Sequence, residues 1–402
     1  MAILHPFRAL RPQPDVVEAV ASVPYDVINT AEARAMAEGN PLSFLHVIRP
    51  EINLPEGTDE HADAVYAKGA ENLAAFAESE QFVEEDAPSL YVYRLVMDGR
   101  AQTGVFGCVA VSDYDADAIL KHEKTRPDKE DDRTRHLLTQ EAHAEPVMLT
   151  FRDDATVAAL IGEAVATAPL YDFIADDGVQ HTVWRVADPA QWVAAFEAIP
   201  AIYVADGHHR CKAASRAAEA HREQGKASDE VGFFPAVLFP MGDMKILAYN
   251  RIIKRVPNGG AAFLDQLRER MTVVPTDQPT PDTPGTIGLL VEGQWYRAEL
   301  PAAASDRVVD ALDVARLGEH ILEPLLGITN PRTDPNIGFV GGIRGIGELE
   351  RLVASGAADL AIAMYPTQIE ELLDVSDAGE LMPPKSTWFE PKLRSGLLVH
   401  RF

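Results

Sequence analysis

One stretch constrains this chain more than any other. An apolar run, Ala201-Ile202-Tyr203-Val204-Ala205, ends abruptly on Asp206-Gly207-His208-His209-Arg210 and passes into an Ala-rich segment. A short apolar run of this kind fits a buried strand, and residues 212–223 carry the spacing of a helix. The chain must therefore change from extended to helical within a few residues, and Gly207 supplies the small residue that so sharp a turn needs.

The same turn has chemical consequences. A helix that begins there offers backbone N–H groups and the positive end of its dipole to an anion. His208, His209 and Arg210 add side-chain donors in that first turn, and an arginine can hold phosphate oxygens with two parallel hydrogen bonds. Asp206 can cap the helix or hold Mg²⁺. The bland alternative is a structural turn with Asp206 as the cap and a solvated His-His-Arg run. Against it, cationic groups are unfavourable in a helix's first turn, and a bound anion would offset that cost. Zinc fits poorly, because neighbouring helical positions point roughly 100° apart, unlike a histidine pair at i, i+4.

With 402 residues the chain exceeds what one core usually serves, so two domains or one with a large insertion are expected. Strand and helix patterns are mixed throughout. Helices are expected at 31–38 (capped by Thr30), 59–81, 155–166, 192–199, 212–223, 313–326 and 367–374. Strands are expected at 42–48, 90–96, 103–111, 146–151, 171–186 (a hairpin about Asp177-Gly178), 201–205, 234–239, 245–249, 286–300 (a hairpin), 337–340 and 359–364. A Pro- and Thr-rich loop at 274–285 marks a shift in composition. The expected fold is mixed α/β, with an N-terminal α/β region over 1–255, a C-terminal α/β domain over 256–402, and an extended tail over 381–402.

The formal net charge of −26 repels nucleic acid and anionic membranes over most of the surface, so any phosphate site must be a local concentration of positive groups. Two cysteines far apart, Cys108 and Cys211, make no disulfide framework and read as reduced thiols. Residues 1–8 lack a signal peptide's apolar run, and no run of about 18 apolar residues occurs. A cytoplasmic protein without nucleic-acid or membrane partners is expected. The oligomeric state stays open, a homodimer included.

The most charged stretch is Lys121-His122-Glu123-Lys124-Thr125-Arg126-Pro127-Asp128-Lys129-Glu130-Asp131-Asp132-Arg133-Thr134-Arg135-His136. Residues 128–136 fit a solvated loop followed by a helix whose acidic first turn suits the dipole. Glu123, between cations, stays ionised and can accept a proton from a hydroxyl nucleophile. Near the C-terminus, Met382-Pro383-Pro384-Lys385-Ser386-Thr387 sets a cation and two hydroxyls after a rigid entry, suited to a carboxylate, a phosphate or simple packing. Residues 338–347 are glycine-rich, but their spacing fails the dinucleotide pattern and reads as a strand-to-helix turn.

Four of these stretches carry a resemblance: Val23-Pro24-Tyr25-Asp26-Val27-Ile28, residues 121–129, Ala205-Asp206-Gly207-His208-His209-Arg210 and residues 382–387. Over nearly its full length the chain resembles the bacterial DUF1015 proteins. Those are similar in turn to the free L-serine kinases of the ParB/sulfiredoxin superfamily, through His122-Glu123, the strand at 146–150, Asp206 to Arg210, and the end from Pro366-Thr367 through Lys385-Ser386-Thr387. The resemblance implies a ParB/sulfiredoxin-like nucleotide-binding core with large insertions, and a tail that returns to the active site. It implies Glu123 as general base, Asp206 near Mg²⁺ and the phosphates, and His208 as a further catalytic group. Gly207, His208, His209 and Arg210 would bind nucleotide phosphates. His122, Thr125, Arg126, Lys385, Ser386 and Thr387 would lie near substrate or nucleotide. The donor would be ATP or ADP and the acceptor free serine. The interval between Glu123 and Asp206 is longer here than in those kinases, and residues 1–120 have no counterpart in them, which leaves room for another acceptor. A nucleotide-binding regulatory protein is the alternative reading. A ParB-like nuclease is disfavoured by the net charge.

Overall fold

A computed structural model describes residues 3–226 and 228–402; Met1 and Ala2, part of the segment read above as lacking an apolar run, lie outside the described residues. The chain forms two compact units. The first comprises Met1–Lys121, Thr125–Met244 and Pro391–Phe402, and the second His122–Lys124 and Lys245–Glu390. Both mix helix and strand, as the sequence pattern requires.

The first unit is built on a mixed nine-stranded sheet. Its spatial order is Ile119–Leu120, Ile202–Asp206, Val147–Phe151, Phe233–Pro240, Arg100–Ala110, Tyr91–Met97, Gln180–Arg185 and Tyr171–Ile174, with Leu4–His5 also pairing on Arg100–Ala110. Strand Ile202–Asp206 runs parallel to Ile119–Leu120 and antiparallel to Val147–Phe151. Helix His208–Glu223 packs back on this sheet because its small residues Cys211, Ala214 and Ala218 recur at three- and four-residue spacing and join the same buried core as Val204, Leu149 and Leu238. A second sheet of four short strands includes the C-terminal strand Val399–Arg401, paired on one side with Ala9–Pro12 and on the other with Ala142–His143.

The second unit contains a six-stranded antiparallel sheet in the order Val273–Pro275, Gln294–Glu299, Thr286–Val291, Leu360–Met364, Tyr249–Ile253 and Ile337–Gly341. The glycine-rich stretch does end a strand and, after a short 3-10 turn at Gly342–Arg344, start a helix, Gly345–Ala354. The helix expected at 313–326 forms with a π-helical segment, Gly318–Leu322, in its middle.

Three local expectations are corrected. Residues 42–48, read as a strand, contain a helix, Leu45–Ile48: a short buried apolar run carries no periodicity that separates the two. Thr30 does not cap the helix that follows; it is the first helical residue of Thr30–Ala37, and Asn29 closes a capping box with Glu32. The charged helix Pro127–Gln140 has the acidic first turn expected, but it is not a solvated element, since Asp132, Arg133, Thr134 and His136 are buried. The described residues contain no helix long and apolar enough to cross a membrane. Both cysteines are buried free thiols.

Candidate phosphate-binding turn

The local sequence positions the turn in three steps. Strand Ile202–Asp206 is apolar until its last residue. Its register against Val147–Phe151 slips between Val204 and Asp206, so that Asp206 pairs with Met148 and Ala205 is passed over. Such a bulge re-aims the side chain that follows it. Gly207 then takes φ +103°, a left-handed conformation, and the helix starts at His208. A β-carbon at Gly207 would also lie 3.0–3.3 Å from the Arg210 guanidinium, so conformation and space both call for glycine.

Asp206 is not the helix cap; the capping position is Gly207, which makes no side-chain bond. Instead the Asp206 carboxylate faces two cations, with Lys392 Nζ at 3.1 Å and an Arg210 Nη at 3.8 Å. Burial by itself would raise its pKa, but the Lys392 ammonium and the Arg210 guanidinium outweigh that and hold it below the usual carboxylate range. Arg210 is nearly buried and donates to the Pro146 carbonyl. Burial alone would weaken its charge, yet Asp26, Asp206 and Glu145 keep it firmly protonated. Tyr25 and Asp26, from the first of the resemblance stretches, thus share this neighbourhood: the Tyr25 N–H donates to Glu145 at 3.0 Å, and Arg133 lies 3.8 Å over the Tyr25 ring.

His208 is buried and His209 half-buried. The backbone N–H of Arg126 donates to His209 Nε2 at 3.1 Å, which makes that nitrogen an acceptor and puts the ring proton on Nδ1. Cys211 makes the first helical bond, to the Gly207 carbonyl at 3.0 Å, so the amides of residues 208–210 stand outside the helical ladder. Behind the turn, Arg133, His136, Glu145 and Arg210 line a cavity of about 40 Å³, which has room for water and not for a nucleoside.

The predicted residues fall into two groups. Thr125, Arg126 and Asp206 to Arg210 belong to the first unit, where Arg126 and His209 are directly bonded. His122, Glu123, Lys385, Ser386 and Thr387 belong to the second. There the Met382 N–H donates to the His122 carbonyl at 2.7 Å, which brings the His122-Glu123 segment and the start of the 382–387 stretch together. Glu123 is half-buried in a bend. Lys385 is exposed, with φ +61°, and its carbonyl accepts from the buried Arg251 at 3.0 Å. The Ser386 hydroxyl donates to the Pro383 carbonyl at 2.7 Å and so holds the turn itself.

Three partners were not read from the sequence. Lys392 lies 186 positions from Asp206, and a lone lysine in a Pro- and Lys-containing tail gives no signal. Glu145 and Asp26 are single acids whose meaning comes only from Arg210. The structure offers no standing metal site: among the described residues no three His, Cys, Asp or Glu side chains converge. Asp206 as a lone carboxylate still suits Mg²⁺, which is commonly held by one or two carboxylates together with substrate phosphates.

A family model described as "Protein of unknown function (DUF1015)" matches residues 4–315, and the chain belongs to that family. No curated protein matches it. Among solved structures it is similar to a conserved hypothetical protein from Pyrococcus furiosus, at 12% identity and a TM-score of 0.37 over 73% of this chain and 94% of that one. It is similar to a free serine kinase in complex with AMP, at 12% identity and a TM-score of 0.38 over 73% and 91%. It is also similar to C-terminally truncated SbnI from Staphylococcus aureus, at 12% identity and a TM-score of 0.39 over 73% and 87%.

Proposed function

We propose that this DUF1015 protein is a nucleotide-dependent kinase of a small alcohol, with Mg²⁺ as cofactor, ATP or ADP as donor and free L-serine as the first acceptor to test. The observation that carries the reading is the turn from Asp206 to Arg210. A left-handed glycine opens a helix toward an anion, and Arg210 and Lys392 gather positive charge around one carboxylate, beside the imidazoles of His208 and His209, in a chain of net charge −26. Phosphoryl transfer asks a protein mainly for positioning and charge neutralisation, and those are what this turn can supply.

In the proposed reaction the amides of residues 208–210 and the Arg210 guanidinium hold the transferring phosphoryl group. Asp206 would hold Mg²⁺, which when bound neutralises phosphate charge. Glu123 accepts the proton of the acceptor hydroxyl as its oxygen forms the new P–O bond. The P–O bond to the nucleotide breaks, and the departing nucleotide keeps that electron pair. Lys385 and Thr387 contact substrate or nucleotide, while Ser386 shapes their turn.

The test is to incubate the protein with Mg²⁺, L-serine and either ATP or ADP, and to identify the products. O-phosphoserine is expected with one of the two donors. Nucleotide consumption that ignores serine favours a nucleotide-hydrolysing regulatory protein. Serine phosphorylation that survives Glu123→Gln removes Glu123 as the base.

A further inference from the structure

The first unit contains a second pocket, of about 350 Å³, whose lining includes Glu18, Ser22, Met36, Asn40, Asp176 and Arg394. That volume lies within the range of small-molecule sites. None of these residues takes part in the proposed phosphate chemistry.

The pocket has a charged side wall and an acidic rim. Arg394 is 4% exposed. One of its guanidinium nitrogens donates to Asp177, and its backbone N–H donates to the Tyr93 hydroxyl at 3.4 Å. One carboxylate engages only part of a five-donor fork, and Arg394 also lines the pocket, so a planar oxyanion can use the remainder. At the rim, Glu18 and Asp176 are exposed carboxylates, and Met36 is exposed and adaptable. The walls are pinned: Asn40 donates to the Ala19 carbonyl at 2.7 Å, and Ser22 exchanges backbone hydrogen bonds of 3.1 and 2.8 Å with Ser395. A simple anion would meet the field of Glu18, Asp176 and Asp177, and a simple cation would meet Arg394. A molecule with both charges a few ångströms apart satisfies each.

We infer that this pocket binds a small zwitterion of the α-amino-acid class, its carboxylate on Arg394 and its ammonium toward Glu18 and Asp176. The site is tied to the candidate phosphate turn by one short segment. Lys392, two residues before Arg394, reaches Asp206, and Ser395, next to it, donates to Glu145 at 3.3 Å. Occupancy of the pocket therefore bears on the strand that delivers Lys392.

The probe is L-alanine, which has no hydroxyl to phosphorylate. It is titrated calorimetrically into the full chain without nucleotide, with acetate and methylammonium as matched single-charge controls. Saturable L-alanine binding is expected, at least tenfold tighter than either control. It should weaken at least fivefold in the rim variant Glu18→Gln/Asp176→Asn, which leaves buried groups alone, and vanish in Ala19→Phe, which narrows the pocket. It should persist in His209→Ala, so that loss of the kinase reading leaves this one standing. Absence of L-alanine binding, binding no tighter than acetate, or binding indifferent to both pocket variants overturns the proposal.

Discussion

Removing the Lys392 ammonium should destabilise the first unit at neutral pH and spare it in acid. Lys392 Nζ lies 3.1 Å from Asp206 Oδ2, with the two side chains 14% and 29% exposed. At an effective dielectric near 20 the gross attraction at that distance is about 5 kcal/mol. Most of this is offset by desolvation, and in Lys392→Met the Arg210 guanidinium at 3.8 Å still shields the carboxylate. The net loss expected is about 1–3 kcal/mol, the scale of a hydrogen bond to a charged group. In a unit of this size that lowers Tm by roughly 2–10 °C. The sign with pH follows from Asp206. Its folded pKa is depressed, first by Lys392 and then by Arg210, against the opposing effect of burial. Its contribution is therefore complete above the unfolded value of about 4 and is lost as pH falls from there through the depressed folded value. Thermal denaturation of the parent and Lys392→Met from pH 2 to 8 should show a constant gap above about pH 4 that narrows only below about pH 3. A gap below about 1 °C at pH 7, or one that has already closed at about pH 4, refutes the ion pair as described.

Other outcomes follow from the same geometry. Gly207→Ala must adopt φ +103° and push on the Arg210 guanidinium; a loss of about 1–2 kcal/mol in urea unfolding, from left-handed strain alone, is expected, with weaker nucleotide binding. Arg251 is buried, its pKa pushed down to about 10 by that burial, and it holds the Lys385 carbonyl. Arg251→Met removes the Arg251 guanidinium from that carbonyl and from that of Tyr249, so limited proteolysis should cut faster near Lys385, at a stability cost of about 1–3 kcal/mol. Asn29→Ala removes a capping box and should cost about 1 kcal/mol by denaturant titration. Because Asp206 is a lone carboxylate beside two cations, calorimetry should detect Mg²⁺ binding with nucleotide present and none without it.

Much of this was legible in the chain because local patterns decide local structure. The apolar run before Asp206, the glycine after it and the alanine spacing beyond it define strand, turn and helix without reference to anything distant. What was not legible depends on long-range approach. Lys392 becomes meaningful only because its segment lies beside residue 206. Asp132, Arg133 and His136 look like surface charge in a list of residues, yet Asp132 and His136 meet Tyr66 of helix Asp63–Glu78, Arg133 meets Tyr25 and Glu145, and all three are buried. Residues 42–48 failed for a different reason, since a short run that is apolar throughout has no period to read. At Asp206 the sequence left cap and ligand open, and the bulge and Lys392 decide against the cap.

The central claim is that the turn from Asp206 to Arg210 grips nucleotide phosphates. Its most direct measurement is the affinity for ATP and ADP, with Mg²⁺, of the parent chain, His209→Ala and Arg210→Lys, each first shown by circular dichroism and melting to be folded. The account predicts saturable binding by the parent and at least a tenfold loss in each variant, with adenosine, which has no phosphate, binding far more weakly than either nucleotide. Equal nucleotide affinity in all three folded proteins would contradict it.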